Sequence, residues 1–117
     1  MNKRGHQGQE AETLACHLLK KNQLKLVSKN YHCRYGEIDL IMQDGKTLVF
    51  VEVRYRKSAV FGGALESINK SKQNKLRLTA QHYLQNTGAK NNARFDVVLL
   101  SSLTDPDSIE WIKSAFE

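Results

Sequence analysis

The chain has 117 residues, 40% of them hydrophobic and 26% charged, with a formal net charge of +6 and a pI near 9.4. That length suits one domain with a real core, and the composition excludes wholesale disorder. No apolar run approaches the roughly 20 residues that cross a membrane, and the opening MNKRGHQGQE lacks the apolar segment of a secretory signal, so a cytoplasmic protein without membrane attachment is expected.

Residues 8–22 predict a helix, because Ala11, Leu14, Ala15, Leu18 and Leu19 recur at the spacing of one apolar face. Glu12 falls on or beside that face. It reads either as an acid favoured in a first helical turn or as a carboxylate aimed into a site. Residues 24–31 alternate between apolar and polar, as in a half-exposed strand. Residues 36–42 and 47–55 predict a hairpin turned at Asp44-Gly45, a pair suited to positive φ at both positions. Ser58–Ala64, with Phe61-Gly62-Gly63, reads as a loop.

A second helix is expected from about Asn69 to Gln85, capped by Asn69 or Ser71 and ended by Asn86-Thr87-Gly88. Its core face is Leu76, Ala80, Tyr83 and Leu84. Arg94–Leu100 is a strand, Pro106 lies in the turn after it, Ile109–Ile112 is a short last strand, and Lys113–Glu117 is a terminal turn. The order α-β-β-β-α-β-β gives an α/β domain over residues 1–117, a mixed sheet flanked by helices.

Two cysteines, Cys16 and Cys33, make no disulfide framework. Each adjoins a histidine, but neighbours on a helix or strand point apart, which disfavours zinc and leaves two free thiols. The charge is concentrated. Between Val53 and Ala80 stand Arg54, Arg56, Lys57, Lys70, Lys72, Lys75 and Arg77 against the single acid Glu66, which accounts for the whole basic excess. A local basic surface favours a polyanion such as DNA or RNA; the alternative is a solvated helix face.

The hairpin is the most telling segment. Its strands are apolar enough to be buried, yet they carry Glu37, Asp39 and Glu52. Carboxylates rarely sit on buried strands unless they are paired or bind a metal. With Asp44-Gly45 as the loop, Ile41 opposes Leu48, Asp39 opposes Phe50, Glu37 opposes Glu52, and all share one face with Arg54. Asp39 and Glu52 would then be diagonal neighbours within roughly 6–8 Å. Like charges so placed need a cation: Arg54, a bound hard ion such as Mg2+ or Mn2+, or both.

These residues resemble the YraN family of uncharacterised bacterial proteins, which look like archaeal Holliday junction resolvases. The resemblance runs from Gly8 to Phe116. It rests on Gly36-Glu37-Ile38-Asp39-Leu40-Ile41, Val49-Phe50-Val51-Glu52-Val53-Arg54, Phe61-Gly62-Gly63, Ser71-Lys72-Gln73 with Lys75-Leu76, and Arg94-Phe95-Asp96-Val97-Val98. The wider superfamily is that of the PD-(D/E)xK, restriction-endonuclease-like nucleases, with a three-layer α-β-β-β-α-β core. The resemblance implies a metal-dependent endonuclease acting on DNA, branched or damaged substrates included. Asp39 and Glu52 would be the paired acids and Glu12 the acid of the first helix. Together with the carbonyl of Val53 they would hold Mg2+ or Mn2+, which activates water for attack on the phosphate. Arg54, Arg56, Lys57, Lys72, Gln73, Lys75 and Arg77 would face nucleic acid. Because resolvases cut two strands, a homodimer is compatible with the resemblance.

One position departs from that pattern. Arg54 stands where the superfamily has lysine, and an arginine stays charged and cannot act as a base. It can still orient the phosphate and stabilise the transition state. Lys57, Lys72 and Lys75 are the candidates for a displaced lysine. The alternatives are a non-catalytic nucleic-acid-binding module on the same fold and a protein-binding scaffold that retains relic acids.

Overall fold

The computed structural model describes residues 5–57 and 68–117; the loop expected at Ser58–Ala64, with Phe61-Gly62-Gly63, lies outside them. Helix α1 spans His6–Lys21, followed by strands β1 (Lys25–Cys33), β2 (Gly36–Asp44) and β3 (Thr47–Tyr55). Helix α2 (Lys70–Thr87) leads to β4 (Asn92–Leu100), a 3-10 turn at Pro106–Ser108, and β5 (Ile109–Phe116). The strands form one sheet in the order β1-β2-β3-β4-β5. All neighbours are antiparallel except β3 and β4, which run parallel from Thr47↔Asn92 to Tyr55↔Leu100.

The expected three layers are present, with one helix on each face of a mixed sheet, consistent with a restriction-endonuclease-like fold. Ala11, Ala15, Cys16 and Leu19 of α1 pack with Leu40, Met42, Val49, Val51 and Val98. Leu76 and Ala80 of α2 pack with Ile38, Ile41, Leu48, Phe50 and Val97, and Tyr83 and Leu84 lie against them. The alternate residues of β3 therefore serve two cores, which explains its nearly continuous apolar run. Asn69 caps α2 by accepting from the Lys72 amide at 2.9 Å, and Gly88 ends it with φ +69°.

Two expectations are corrected. The β2–β3 loop is Gly45-Lys46, not Asp44-Gly45. Asp44 pairs with Thr47, Gln43 with Leu48, and Ile41 with Phe50. Gly45 alone has positive φ, +61°, as a turn with one left-handed residue at its first position requires. Asp44 is held in the strand by Arg94, whose Nη1 donates to its Oδ2 at 3.0 Å. The second correction concerns the C-terminus, where β5 continues to Phe116. Ser114 takes φ +50° at an irregularity between the pairs Val97↔Ile112 and Phe95↔Phe116, and its amide turns to the Asp96 carboxylate at 3.0 Å.

Gly36 opens β2 with φ +153°, and a Cβ there would lie 3.3 Å from Thr79 Oγ1 and 3.7 Å from Lys75 Cβ. Any larger residue meets both backbone strain and the flank of α2. Gly36→Ala should destabilise the fold by about 1–3 kcal/mol, read as a lower urea midpoint with an unchanged m-value.

Candidate metal and nucleic-acid site

The site grows from a fork in the sheet. The β2–β3 ladder runs from Asp44↔Thr47 to Leu40↔Val51, and no pairs extend it beyond that point. Where it ends, the Val53 amide donates instead to Asp39 Oδ2 at 2.8 Å. Strict alternation also fails here, since Ile38 and Ile41 both face α2 while Leu40 faces α1. The corrected register moves each partner by two positions, so Ile41, rather than Asp39, opposes Phe50. Asp39 lies one residue beyond the last pair, Leu40↔Val51, at the mouth of the fork, and it accepts there from the amide of Val53, the residue after Glu52.

Glu12 reaches the same mouth from α1. Asn30 Nδ2 donates to Glu12 Oε1 at 3.2 Å. Asn30 has φ +53° and sits between the pairs Lys29↔Leu40 and Tyr31↔Ile38, across from Asp39. The helix therefore aims its buried carboxylate at the residue facing Asp39. Glu12, Asp39 and Glu52 are each only 5% exposed, so the reading of Glu12 as a simple first-turn acid gives way to a buried, partnered one.

Glu52 meets the basic side of the site. Arg54 Nε lies 3.2 Å from Glu52 Oε2, and Lys72 Nζ of α2 lies 3.6 Å from the same oxygen. The Arg54 Nε atom is buried but has no aligned hydrogen-bond acceptor among the described residues, so its closeness to Glu52 is an ion pair without a formed hydrogen bond. Beside it opens a pocket of about 520 Å³ bordered by Glu12, Val53, Arg54, Arg56, His6 and the first turn of α1.

The structure thus brings Glu12, Asp39, Glu52, Val53, Arg54, Arg56 and Lys72 to one region. Of the three candidates for a displaced lysine, Lys72 is the one that approaches Glu52. Lys57 and Lys75 are exposed. Arg77 and Gln73 are engaged elsewhere. Arg77 donates to the Glu117 carbonyl, covers the Phe116 ring at 5.6 Å and donates to Gln73 Oε1, while Gln73 Nε2 donates to the Ile68 carbonyl. These contacts tie α2 to the C-terminal strand.

Among the described residues, no three His, Cys, Asp or Glu side chains are gathered as a ready-made metal cage. Magnesium does not require one, because it usually takes one or two carboxylates and completes its shell with water and substrate phosphate. The donor chemistry fits a hard divalent ion: buried carboxylate oxygens, no thiolate or imidazole among them, and cations close by to receive phosphate.

A fourth buried acid escaped the sequence reading. Asp96, in the middle of β4, is fully buried. Its oxygens accept from Arg94 Nε at 3.0 Å, Trp111 Nε1 at 2.9 Å and the Ser114 amide at 3.0 Å. Burial opposes the Arg94 charge, but hydrogen bonds to Asp96 and Asp44 more than offset it and raise its pKa above the ordinary value. The signal was present in RFDVVLL, an acid inside an apolar strand, the same anomaly that marked the hairpin.

A three-layer α/β domain with buried acids at a sheet fork is the class that fold and site define. The family described as "Uncharacterised protein family UPF0102" matches residues 11–100, and the chain belongs to it. It is 53% identical over 111 residues to a UPF0102 protein of Nitrosococcus oceani, covering 93% of this chain and 90% of that protein. It is 53% identical over 109 residues to one from Methylobacillus flagellatus, covering 93% and 95%. The identity is 49% over 117 residues to one from Nitrosomonas eutropha, covering 100% and 98%. No helix among the described residues is long and apolar enough to cross a membrane.

Proposed function

We propose that the protein is a metal-dependent endonuclease that hydrolyses phosphodiester bonds of DNA, branched or damaged DNA included. The observation that carries this reading is that Glu12, Asp39 and Glu52 are all buried, with Glu12 lining a pocket shared by Val53, Arg54 and Arg56, Asp39 bonded to the Val53 amide, and Glu52 ion-paired to Arg54. Burying carboxylates opposes folding unless hydrogen bonds or cations offset them. Arg54 and Lys72 serve Glu52 in that way, and a divalent ion would serve the set.

One or two of Glu12, Asp39 and Glu52, with the Val53 carbonyl, would hold Mg2+ or Mn2+, water and phosphate completing its shell. The ion supplies an activated water and stabilises charge on the phosphate. The Val53 amide fixes the rotamer of Asp39, and Asn30 fixes that of Glu12, so the donors are preorganised. Arg54 keeps a buried N–H without an aligned acceptor, suited to a phosphate oxygen whose charge grows in the transition state. Lys72, which lies 3.6 Å from Glu52, can give up a proton as Arg54 cannot, and in this reading it would protonate the leaving oxygen.

Cleavage of supercoiled plasmid and of a four-way junction, with Mg2+ or Mn2+, tests the reading. Wild type should cut at least one substrate, and Asp39→Ala should not. No cleavage by wild type, or equal cleavage by both, removes the nuclease. The ion pairs of Glu52 with Arg54 and Lys72 favour one second reading, a non-catalytic nucleic-acid-binding module, because they neutralise the acid without metal. That module would show salt-sensitive binding that persists in EDTA and survives loss of the carboxylates.

A further inference from the structure

The β1–β2 turn carries two residues that the carboxylate site does not use, Arg34 and Tyr35. Arg34 Nη2 donates to the Tyr35 hydroxyl at 2.7 Å, and its guanidinium lies 4.9 Å from the Tyr35 ring centroid. The Tyr35 ring meets His82 of α2 with centroids 6.4 Å apart and planes at 67°. A hydrogen bond between Nδ1 and the Tyr31 hydroxyl fixes the His82 ring, and Tyr31 is itself wedged edge-on against Tyr83 at 5.1 Å.

One turn back along α2 is Leu78, which is 43% exposed, and Lys75 is exposed just before it. Their spacing puts Lys75, Leu78 and His82 on one stripe of the helix. The turn adjoins that stripe, because a Cβ on Gly36, the residue after Tyr35, would sit 3.7 Å from Lys75 Cβ. The stripe also leads to the carboxylates. Lys72 contacts Glu52, and α2 rises about 15 Å from Lys72 to His82 at 1.5 Å per residue.

Aromatic, guanidinium and aliphatic surface interleaved with lysine is what an unpaired strand needs. Flat groups take the bases, cations take the phosphates, and rings already fixed by neighbours lose little entropy on binding. A continuous duplex keeps its bases stacked inside and gains nothing from such a surface.

We propose that Arg34, Tyr35, Leu78 and His82, flanked by Lys75, form a stacking platform for unpaired bases, so that the protein binds single-stranded segments of nucleic acid in preference to continuous duplex. The proposal rests on the nucleic-acid reading above and adds a substrate preference to it.

Fluorescence anisotropy in EDTA, with a labelled oligothymidylate strand and a blunt duplex of equal length at one salt concentration, tests it. Wild type should bind the single strand more tightly. Tyr35→Ala should weaken single-strand binding by about tenfold, the effect of losing one stacked base, and leave duplex binding nearly unchanged. Tyr35→Trp should restore the affinity, which separates stacking from a folding defect, and Leu78→Ser should weaken single-strand binding in the same direction. Equal losses on both probes, or no rescue by tryptophan, would overturn the platform while leaving the nucleic-acid reading intact. Wild type that binds neither probe overturns that reading and the platform with it.

Discussion

Glu52→Gln is expected to slow metal-dependent cleavage by about 10²–10³-fold or more while nucleic-acid affinity stays the same or tightens. The first half follows from the charge lost. An amide is a poor ligand for a hard divalent ion beside a carboxylate, and removal of one preorganised electrostatic group from an active site typically costs that much. The second half follows from what Glu52 touches. Arg54 and Lys72 both lie within ion-pair distance of its Oε2. Without the anion, both cations are released to phosphate and the local positive potential rises. Single-turnover cleavage and anisotropy on the same labelled junction read the two effects separately. Parallel losses of cleavage and binding would mean that Glu52 organises the surface rather than the chemistry.

Asp96→Ala should destabilise the protein by about 3–5 kcal/mol, the cost of breaking a buried ion pair from one side. Its carboxylate is fully buried and serves Arg94, Trp111 and the Ser114 amide together. Removing it leaves an indole N–H and a backbone amide without their acceptor and the half-buried Arg94 guanidinium with Asp44 alone. For a domain of this size the loss corresponds to a fall in Tm of about 10–20 °C or more, measured by circular dichroism. Asp44→Ala is the control, because Asp44 is much more exposed and leaves Arg94 paired with Asp96; its cost should stay near that of a surface pair, about 0–1 kcal/mol. Arg94 has a raised pKa, so its contribution is fully present below the ordinary arginine value and would be lost only as pH rises through the still higher folded value. The difference between the two variants should therefore hold across neutral pH.

The order of helices and strands was readable because local signals and global fold agree: an apolar face on α1, an Asn69 cap, a Gly88 stop and two strands with no polar face. What misled was turn chemistry. Asp44-Gly45 reads as a two-residue loop, but the Arg94 contact draws Asp44 into the strand and shifts the loop to Gly45-Lys46. A shift of two by itself keeps side chains on their faces, but alternation also breaks between Ile38 and Ile41, so the pairings expected for Asp39 and Glu37 do not form. The β1–β2 turn was invisible because Arg34-Tyr35 is not turn-like; the strain is carried by Gly36, the residue after it. The length of β5 was missed for a related reason. Lys113-Ser114 breaks the apolar pattern, and the amide of Ser114 is satisfied by Asp96 rather than by a strand.

Within the candidate site, Asp39 and Glu52 could be named from burial logic alone. Glu12 could not be decided from periodicity, because a helix begun at residue 8 puts it near the first turn, whereas α1 begins at His6 and has no acid in its first turn. Asn30, its partner from β1, settles the direction, and no local rule marks an asparagine 18 residues away as that partner. Arg77 shows the reverse case. Its place in a basic run suggested nucleic acid, yet its contacts with Glu117, Phe116 and Gln73 bind it to the C-terminal strand.

Calorimetric titration of Mn2+ into wild type and Asp39→Ala tests the metal site most directly. A site built on the fork predicts saturable binding to wild type that disappears in Asp39→Ala, with both proteins folded by circular dichroism. Saturable heat of equal size in the two proteins, or none in wild type, would contradict it.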